Sequence, residues 1–331
     1  MKKIIIFGAT GNTGAYFTDY CMKHIDLKSY EIIAVGRKKT DFFAKQGISY
    51  VQLDIRDKEN FARLPQQDVY AVVNMAGVLP AYLEDYNPYT YIDTNVSGAV
   101  SILEYARKVG ADRVLYTQTW AEQAGYWGKE QVLSPKLPRK LIYTGDHAFY
   151  AICKSMVVDT MEYYHQEFGI KNFVFRLPNI YLYHPDKTYF VDGIEKPIGY
   201  RYMIDRAVAG LDIEMWGNPD AFKDVVYVKD LCQMMYNALF ASVDGGIYHV
   251  GTGVRTTLRQ QIEGIIKVFS PEDRPSHIIP FREKSSFVSF VMDISNAKEE
   301  LHYEPKYDYI SYLEDYKKEM QEKRFQELWG R

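Results

Sequence analysis

The sequence has little of what would commit it to a special environment. Its three cysteines, Cys21, Cys153 and Cys232, are odd in number and far apart. That argues against a disulfide framework or a zinc spacing and leads to the expectation of reduced thiols in a cytoplasmic setting. No apolar run is long enough to cross a bilayer. Lys2 and Lys3 precede only the short run Ile4 to Phe7, which ends in glycine and does not make the core of a signal peptide. A formal net charge of −3 gives no electrostatic reason to expect nucleic acid or an anionic membrane as partner. There is no internal repeat, no low-complexity tract and no metal-ligand cluster. One residue type is in excess: 29 tyrosines, so any tyrosine motif must be weighed against chance.

The N-terminal stretch carries the strongest pattern. Ile4 to Phe7 reads as a buried strand and runs into Gly8-Ala9-Thr10-Gly11-Asn12-Thr13-Gly14. Phe17, Cys21 and Ile25 then recur at helical spacing. Strand, glycine turn and helix together bring bare backbone N–H groups up to a pyrophosphate at a helix N-terminus. In this reading Gly8 makes the tight turn, Gly11 leaves room for phosphate, and Gly14 allows close packing of helix on strand. A plain glycine-rich turn in an ordinary strand–helix unit is the alternative.

Further strands are expected at Glu31 to Val35, Ile48 to Leu53, Val69 to Val73, Arg113 to Tyr116 and Asn172 to Phe175. Alternation resumes at Asp224 to Val228 and Gly246 to Val250. Helices are expected over Pro88 to Val109, from His147 onward with Asp146 as N-cap, over Leu258 to Phe269, and over Tyr312 to Trp329. The long segment Trp120 to Asp146 reads as a lid or substrate loop. Arg37 and Lys38 follow the second strand, where dinucleotide folds read the ribose 2′ position. With no acid there, they favour NADP over NAD, although a solvated basic turn has the same composition.

The Tyr-x-x-x-Lys pattern occurs twice, about as often as chance allows. Tyr183 and Lys187 have Pro185 between them and cannot share a regular helix turn. Tyr150 and Lys154 lie on the helix after the fifth strand and share one face. A tyrosine, idle at neutral pH with a reference pKa of about 10, becomes a base when positive charge stabilises its phenolate. Lys154 is the group expected to supply that charge. Thr117 and Thr119, at the carboxyl end of the fifth strand, are the two candidates for a hydroxyl that binds the substrate oxygen.

The glycine spacing resembles that of the short-chain dehydrogenase/reductase superfamily, and of its extended branch, the NAD(P)-dependent epimerases and dehydratases. Asn95-Val96-Ser97-Gly98, Arg176 to Tyr181, Lys223 to Leu231, Tyr248 to Gly253 and Leu301 to Pro305 resemble further segments of that family, in its order. The resemblance implies a doubly wound parallel-sheet Rossmann fold with a smaller mixed α/β C-terminal substrate domain. Residues 1–180 with about 222–255 would bind the dinucleotide; residues 181–221 and 256–331 would bind substrate. It also implies a homodimer through residues 88–109 and 147–168, and a nucleotide sugar as substrate.

By the same resemblance Tyr150, Lys154 and Thr119 are catalytic, with Thr117 the other choice for the hydroxyl. Gly8, Thr10, Gly11, Asn12, Thr13, Gly14, Arg37, Lys38, Asp54, Ile55, Met75, Ala76, Gly77, Thr117 and Pro178 would hold the dinucleotide beside Tyr150 and Lys154. Val78, Thr119, Asn179 and Lys223 would touch substrate. Trp120 and Ala121 stand where a 4,6-dehydratase of the family has Asp-Glu, and neither transfers a proton, so dehydration is disfavoured. Epimerisation and ketone reduction remain, with a non-catalytic dinucleotide sensor as the rival class.

Overall fold

The structure, a computed structural model, describes residues 1–285 and 287–330. Seven strands form one parallel sheet: β1 (Lys2–Phe7), β2 (Tyr30–Gly36), β3 (Ser49–Gln52), β4 (Val69–Asn74), β5 (Arg113–Thr119), β6 (Lys171–Leu177) and β7 (Gly245–His249). Their order is β7-β6-β5-β4-β1-β2-β3. The order reverses between β1 and β4, and in doubly wound sheets ligands bind outside the strand ends at that switch point. Strand β1 shows why both faces are covered. Ile4 and Ile6 point into one apolar layer, Ile5 and Phe7 into the other, and all four are fully buried.

Helix α1 (Asn12–His24) packs on one face, and α2 (Ala99–Lys108) and α3 (His147–Phe168) on the other. Beyond β6 the chain builds short strand pairs instead of a second large sheet. They pack with α4 (Val228–Phe240), α5 (Leu258–Phe269) and α6 (Tyr309–Gln321) around a tyrosine-rich core that includes Tyr181, Tyr227, Tyr312 and Tyr316. Thr257 and Gln260 begin α5 with a reciprocal capping box.

Four sequence expectations need correction. The helix expected over Pro88 to Val109 contains a π-helical stretch, Ile92–Gly98, between Pro88–Tyr91 and α2. The expected C-terminal helix breaks after Gln321, because Lys323 (φ 51°) and Phe325 (φ 58°) are left-handed and fold Gln326–Trp329 back. That reversal lets Phe325 meet Tyr16 edge-on, with ring centroids 4.9 Å apart. Asp224 to Val228 yields only Phe222–Lys223 and Val226–Tyr227, since the buried Asp224 carboxylate accepts from the N–H groups of Thr252, Gly253 and Met292. Asp146 makes no side-chain cap to α3; its carboxylate bonds His147 Nδ1 at 2.6 Å.

Gly14 is the tightest point between α1 and β1, because a Cβ there would lie 2.1 Å from the Gly8 carbonyl oxygen. Gly14→Ala gains about 1 kcal/mol of helix propensity but forces main-chain movement. A net loss of about 1–3 kcal/mol is expected in urea unfolding, which measures it directly.

Candidate active site

The glycine turn is open in the manner an anion requires. Gly8 has φ 83°, and a Cβ there would sit 2.7 Å from the main chain of Met75 and Ala76. The Gly11 N–H donates to the Gly8 carbonyl at 2.9 Å. Gly11 is also the N-cap of α1, where no side chain caps the helix and no acid stands in the first turn. The first-turn N–H groups, Asn12 and Thr13 among them, therefore keep their partial positive charge for a ligand. Asn12 Nδ2 donates to the Tyr82 hydroxyl at 2.8 Å, and Thr10 packs beneath Gly36, where a Cβ would lie 2.7 Å from Thr10 Oγ1. This cradle fits a dinucleotide pyrophosphate.

At the end of β2 the two basic residues part company. Both are exposed residues, but the Lys38 ammonium donates to the Leu328 carbonyl. Asp54, past β3, has both carboxylate oxygens engaged by Arg56, with Nη2 to Oδ2 at 2.6 Å. Arg56 holds the Asp54 carboxyl below the usual range, and Arg37 adds to that pull. The part played by Arg56 is absent from the sequence reading. Ile55 is buried under Gly98, where a Cβ would lie 2.6 Å from Ile55 Cδ1.

Past β4, Met75, Ala76 and Gly77 form the lip of the cleft. Asn95, on the π-helical stretch, grips the next residue twice: Oδ1 accepts from Val78 N at 2.7 Å and Nδ2 donates to Val78 O at 2.9 Å. A Cβ on Gly77 would lie 3.1 Å from that same Oδ1. The π-helical register thus coincides with a side chain aimed at the cleft wall.

Helix α3 presents Tyr150 and Lys154, 7% and 4% exposed. The Lys154 ammonium lies 4.0 Å from the centre of the Tyr116 ring, and among the described residues it has no carboxylate partner. Burial brings its pKa down to about 7. The Tyr150 phenol is pushed above its ordinary value by burial, with Tyr91 and Tyr82 adding. Loss of water is the largest influence on this phenol.

Thr117 and Thr119 face the same side of β5. Thr117 Oγ1 lies 3.5 Å from the Asn74 carbonyl; Thr119 Oγ1 accepts from Ala121 N at 3.2 Å and caps the 3₁₀ turn Trp120–Tyr126. In that turn the buried Glu122 pairs with Arg176 at 2.6 Å and Arg139 at 2.8 Å. Arg139 reaches on to Asp159 of α3 at 2.7 Å. These pairs tie the segment after β5 to β6 and α3, so the expected loop is an anchored wall in this part.

The outer part of the site is aromatic. Trp120 stacks on Trp127 with ring centroids 4.2 Å apart and lies 4.3 Å from Phe290. Lys223 Nζ lies 4.0 Å from the Phe287 ring centre, and burial lowers its pKa to about 8. Pro178 is buried and Asn179 exposed. The glycine turn, the lip at Met75 to Gly77, Thr117 and the Tyr150–Lys154 helix are thus linked through Gly8, Asn74 and Tyr116. Lys223 joins them by way of Phe290 and Trp120, since Phe290 N donates to Phe222 O at 3.3 Å.

A model of the NAD dependent epimerase/dehydratase family matches residues 4–251. The chain belongs to this family. Among its relatives, a putative UDP-glucose 4-epimerase of Methanocaldococcus jannaschii is 23% identical over 273 residues, covering 80% of this chain and 81% of the other. The solved UDP-glucose 4-epimerase of Thermotoga maritima with UDP-glucose superimposes with a TM-score of 0.77 at 20% identity, covering 97% and 99% of the two chains. The dTDP-glucose 4,6-dehydratase of Bacillus anthracis in complex with NAD gives 0.73 at 19% identity, covering 98% of each. At such identities the likeness carries the Rossmann architecture, and the family has both epimerases and dehydratases in it.

Burying Lys154 costs stability in full below its folded pKa of about 7, and the cost fades as pH rises toward the ordinary lysine value. Lys154→Met is expected to stabilise the protein by about 2–4 kcal/mol near pH 6, and by less than half of that near pH 9. Denaturant unfolding of both proteins at the two pH values measures the difference.

Proposed function

We propose that this epimerase/dehydratase-family chain moves hydride to and from a sugar carbon, of a nucleotide sugar, with Tyr150 as its acid–base group. The observation that carries the reading is the pair on α3: a buried phenol and, one turn on, a buried ammonium without a carboxylate, beside an uncapped helix N-terminus. A lysine spent on a structural ion pair would show its partner; this one is held for a ligand. When bound, the nicotinamide ring supplies the hydride acceptor and donor and, oxidised, a positive charge.

The protein groups do the rest. Tyr150 takes the proton of the sugar hydroxyl and returns it to the carbonyl oxygen. Lys154 stabilises the phenolate and holds ribose hydroxyls. Thr119, or Thr117, donates to the reacting oxygen. Lys223 and Asn179 hold the substrate beyond it, and Val78 lines the approach. The pyrophosphate rests on the turn of Gly8, Thr10, Gly11, Asn12, Thr13 and Gly14, and Pro178 closes the cleft with Met75 to Gly77. Arg37 and Lys38 bear on the choice between NADP and NAD.

Dehydration remains disfavoured on the same residues. Trp120 and Ala121 carry no titratable group, and Glu122 is bound by two guanidinium groups. A reductase of a non-nucleotide ketone is the second reading, favoured by the aromatic wall of Trp120, Trp127 and Phe290. A homodimer is proposed across α3 and the helix before it, where Ile92, Ile152, Met156 and Tyr163 are exposed apolar residues. The buried, unpaired cysteines suit a reducing cytoplasm.

Tyr150→Phe keeps the ring and removes the proton carrier. Turnover of a nucleotide-sugar panel, followed by nicotinamide absorbance and product stereochemistry, is expected to fall about 10²–10⁴-fold. NADH binding, read by fluorescence, should stay near that of the parent. A variant that turns over like the parent would overturn the proposed role.

A further inference from the structure

The C-terminal segment Phe325–Trp329 packs against the glycine turn, α1 and the residues just past β2. Its Trp329 Nε1 donates to the Thr10 carbonyl inside the glycine turn at 3.2 Å, linking residues 319 positions apart. Leu328 is fully buried, and its carbonyl accepts the Lys38 ammonium. Around it, Arg324 pairs with Asp19 of α1 at 2.7 Å, Glu327 pairs with Lys45, and Tyr16 packs against the Phe325 and Trp329 rings. This is a fixed element, joined to the turn, to α1 and to the end of β2.

In dinucleotide folds the 2′ position is read just past β2. Lys38 is one of two bases there, and the fold gives its charge to a main-chain carbonyl. The other, Arg37, interacts with the Asp54 carboxylate, which Arg56 also holds. We infer that Phe325–Trp329 is a specificity element, which selects NAD over NADP by holding Lys38 away from a 2′-phosphate. The inference rests on the dinucleotide reading above and reverses the preference that Arg37 and Lys38 suggest in sequence. Lys38 acts here as a strut between β2 and the C-terminal segment.

The test is the ratio of dissociation constants for NADH and NADPH, read by fluorescence titration without turnover. The full chain is expected to bind NADH about tenfold or more tighter, the size of one charge-assisted hydrogen bond. Lys38→Ala in the full chain should leave that ratio within about twofold, since the lost ammonium was not available to phosphate. A chain ending at Arg324 frees Lys38 and should shift the ratio toward NADPH by about fivefold or more; adding Lys38→Ala should cancel the shift. Should the shortened chain not fold, the first two ratios still decide. NADPH binding as tight as NADH, or a selective loss of NADPH binding in Lys38→Ala, overturns the inference while sparing the dinucleotide site. If neither dinucleotide binds, the functional reading falls and the inference with it.

Discussion

The site depends on an ammonium group buried against the face of a tyrosine ring, with no carboxylate partner among the described residues. Lys154 on Tyr116 is an expensive arrangement, because a cation out of water is repaid only in part by a ring quadrupole. Proteins that bury lysine for stability alone surround it with acids, and this one does so elsewhere: Lys229 meets Asp315 and, at 2.9 Å, Glu319. The contrast separates the two lysines by what they are for. Lys229 holds α4 to α6; in the proposed function Lys154 acts on the ligand.

Around that group the fold supplies rigidity by close contact. Gly8 and Gly14 bring β1, α1 and the lip of β4 to distances no side chain would allow. Asn95 fixes Val78 from both sides, and the Glu122 carboxylate binds two arginines that clamp the segment after β5. Each of these holds a different wall of the cleft, so the candidate groups sit on helix and strand ends instead of free loops. That is the precondition for orienting a hydroxyl and a nicotinamide against one another.

The sheet and the glycine turn were legible in sequence because their signals are local: β-branched runs, a glycine every third residue, and helical spacing behind them. Asn95 was legible through the family resemblance, and the placement of Tyr150 and Lys154 one turn apart on a helix through their spacing. Other features were hidden for a physical reason. The Lys38–Leu328 contact joins residues 290 positions apart, and nothing near Lys38 announces it. Nothing in the local sequence shows that Arg56 engages both Asp54 carboxylate oxygens. The π-helical stretch carries no residue that forbids an α-helix; Asn95 reaching for Val78 is the tertiary contact that accompanies the wider turn. The break after Gln321 needed no glycine, because packing of Phe325 on Tyr16 offsets the left-handed backbone of a residue that rarely adopts it. The burial that raises the Tyr150 phenol is a tertiary property that local sequence does not carry.

The account stands on the state of Lys154, and that state can be read directly. Carbon-13 labelling of the lysine side chains, with Lys154→Met to assign the resonance, follows the Lys154 methylene shift through a pH titration of the ligand-free protein. A midpoint near the expected value of about 7 supports a buried, unpartnered ammonium held for a ligand. A midpoint at the ordinary lysine value of about 10.4 would contradict it, placing Lys154 in water or beside an acid.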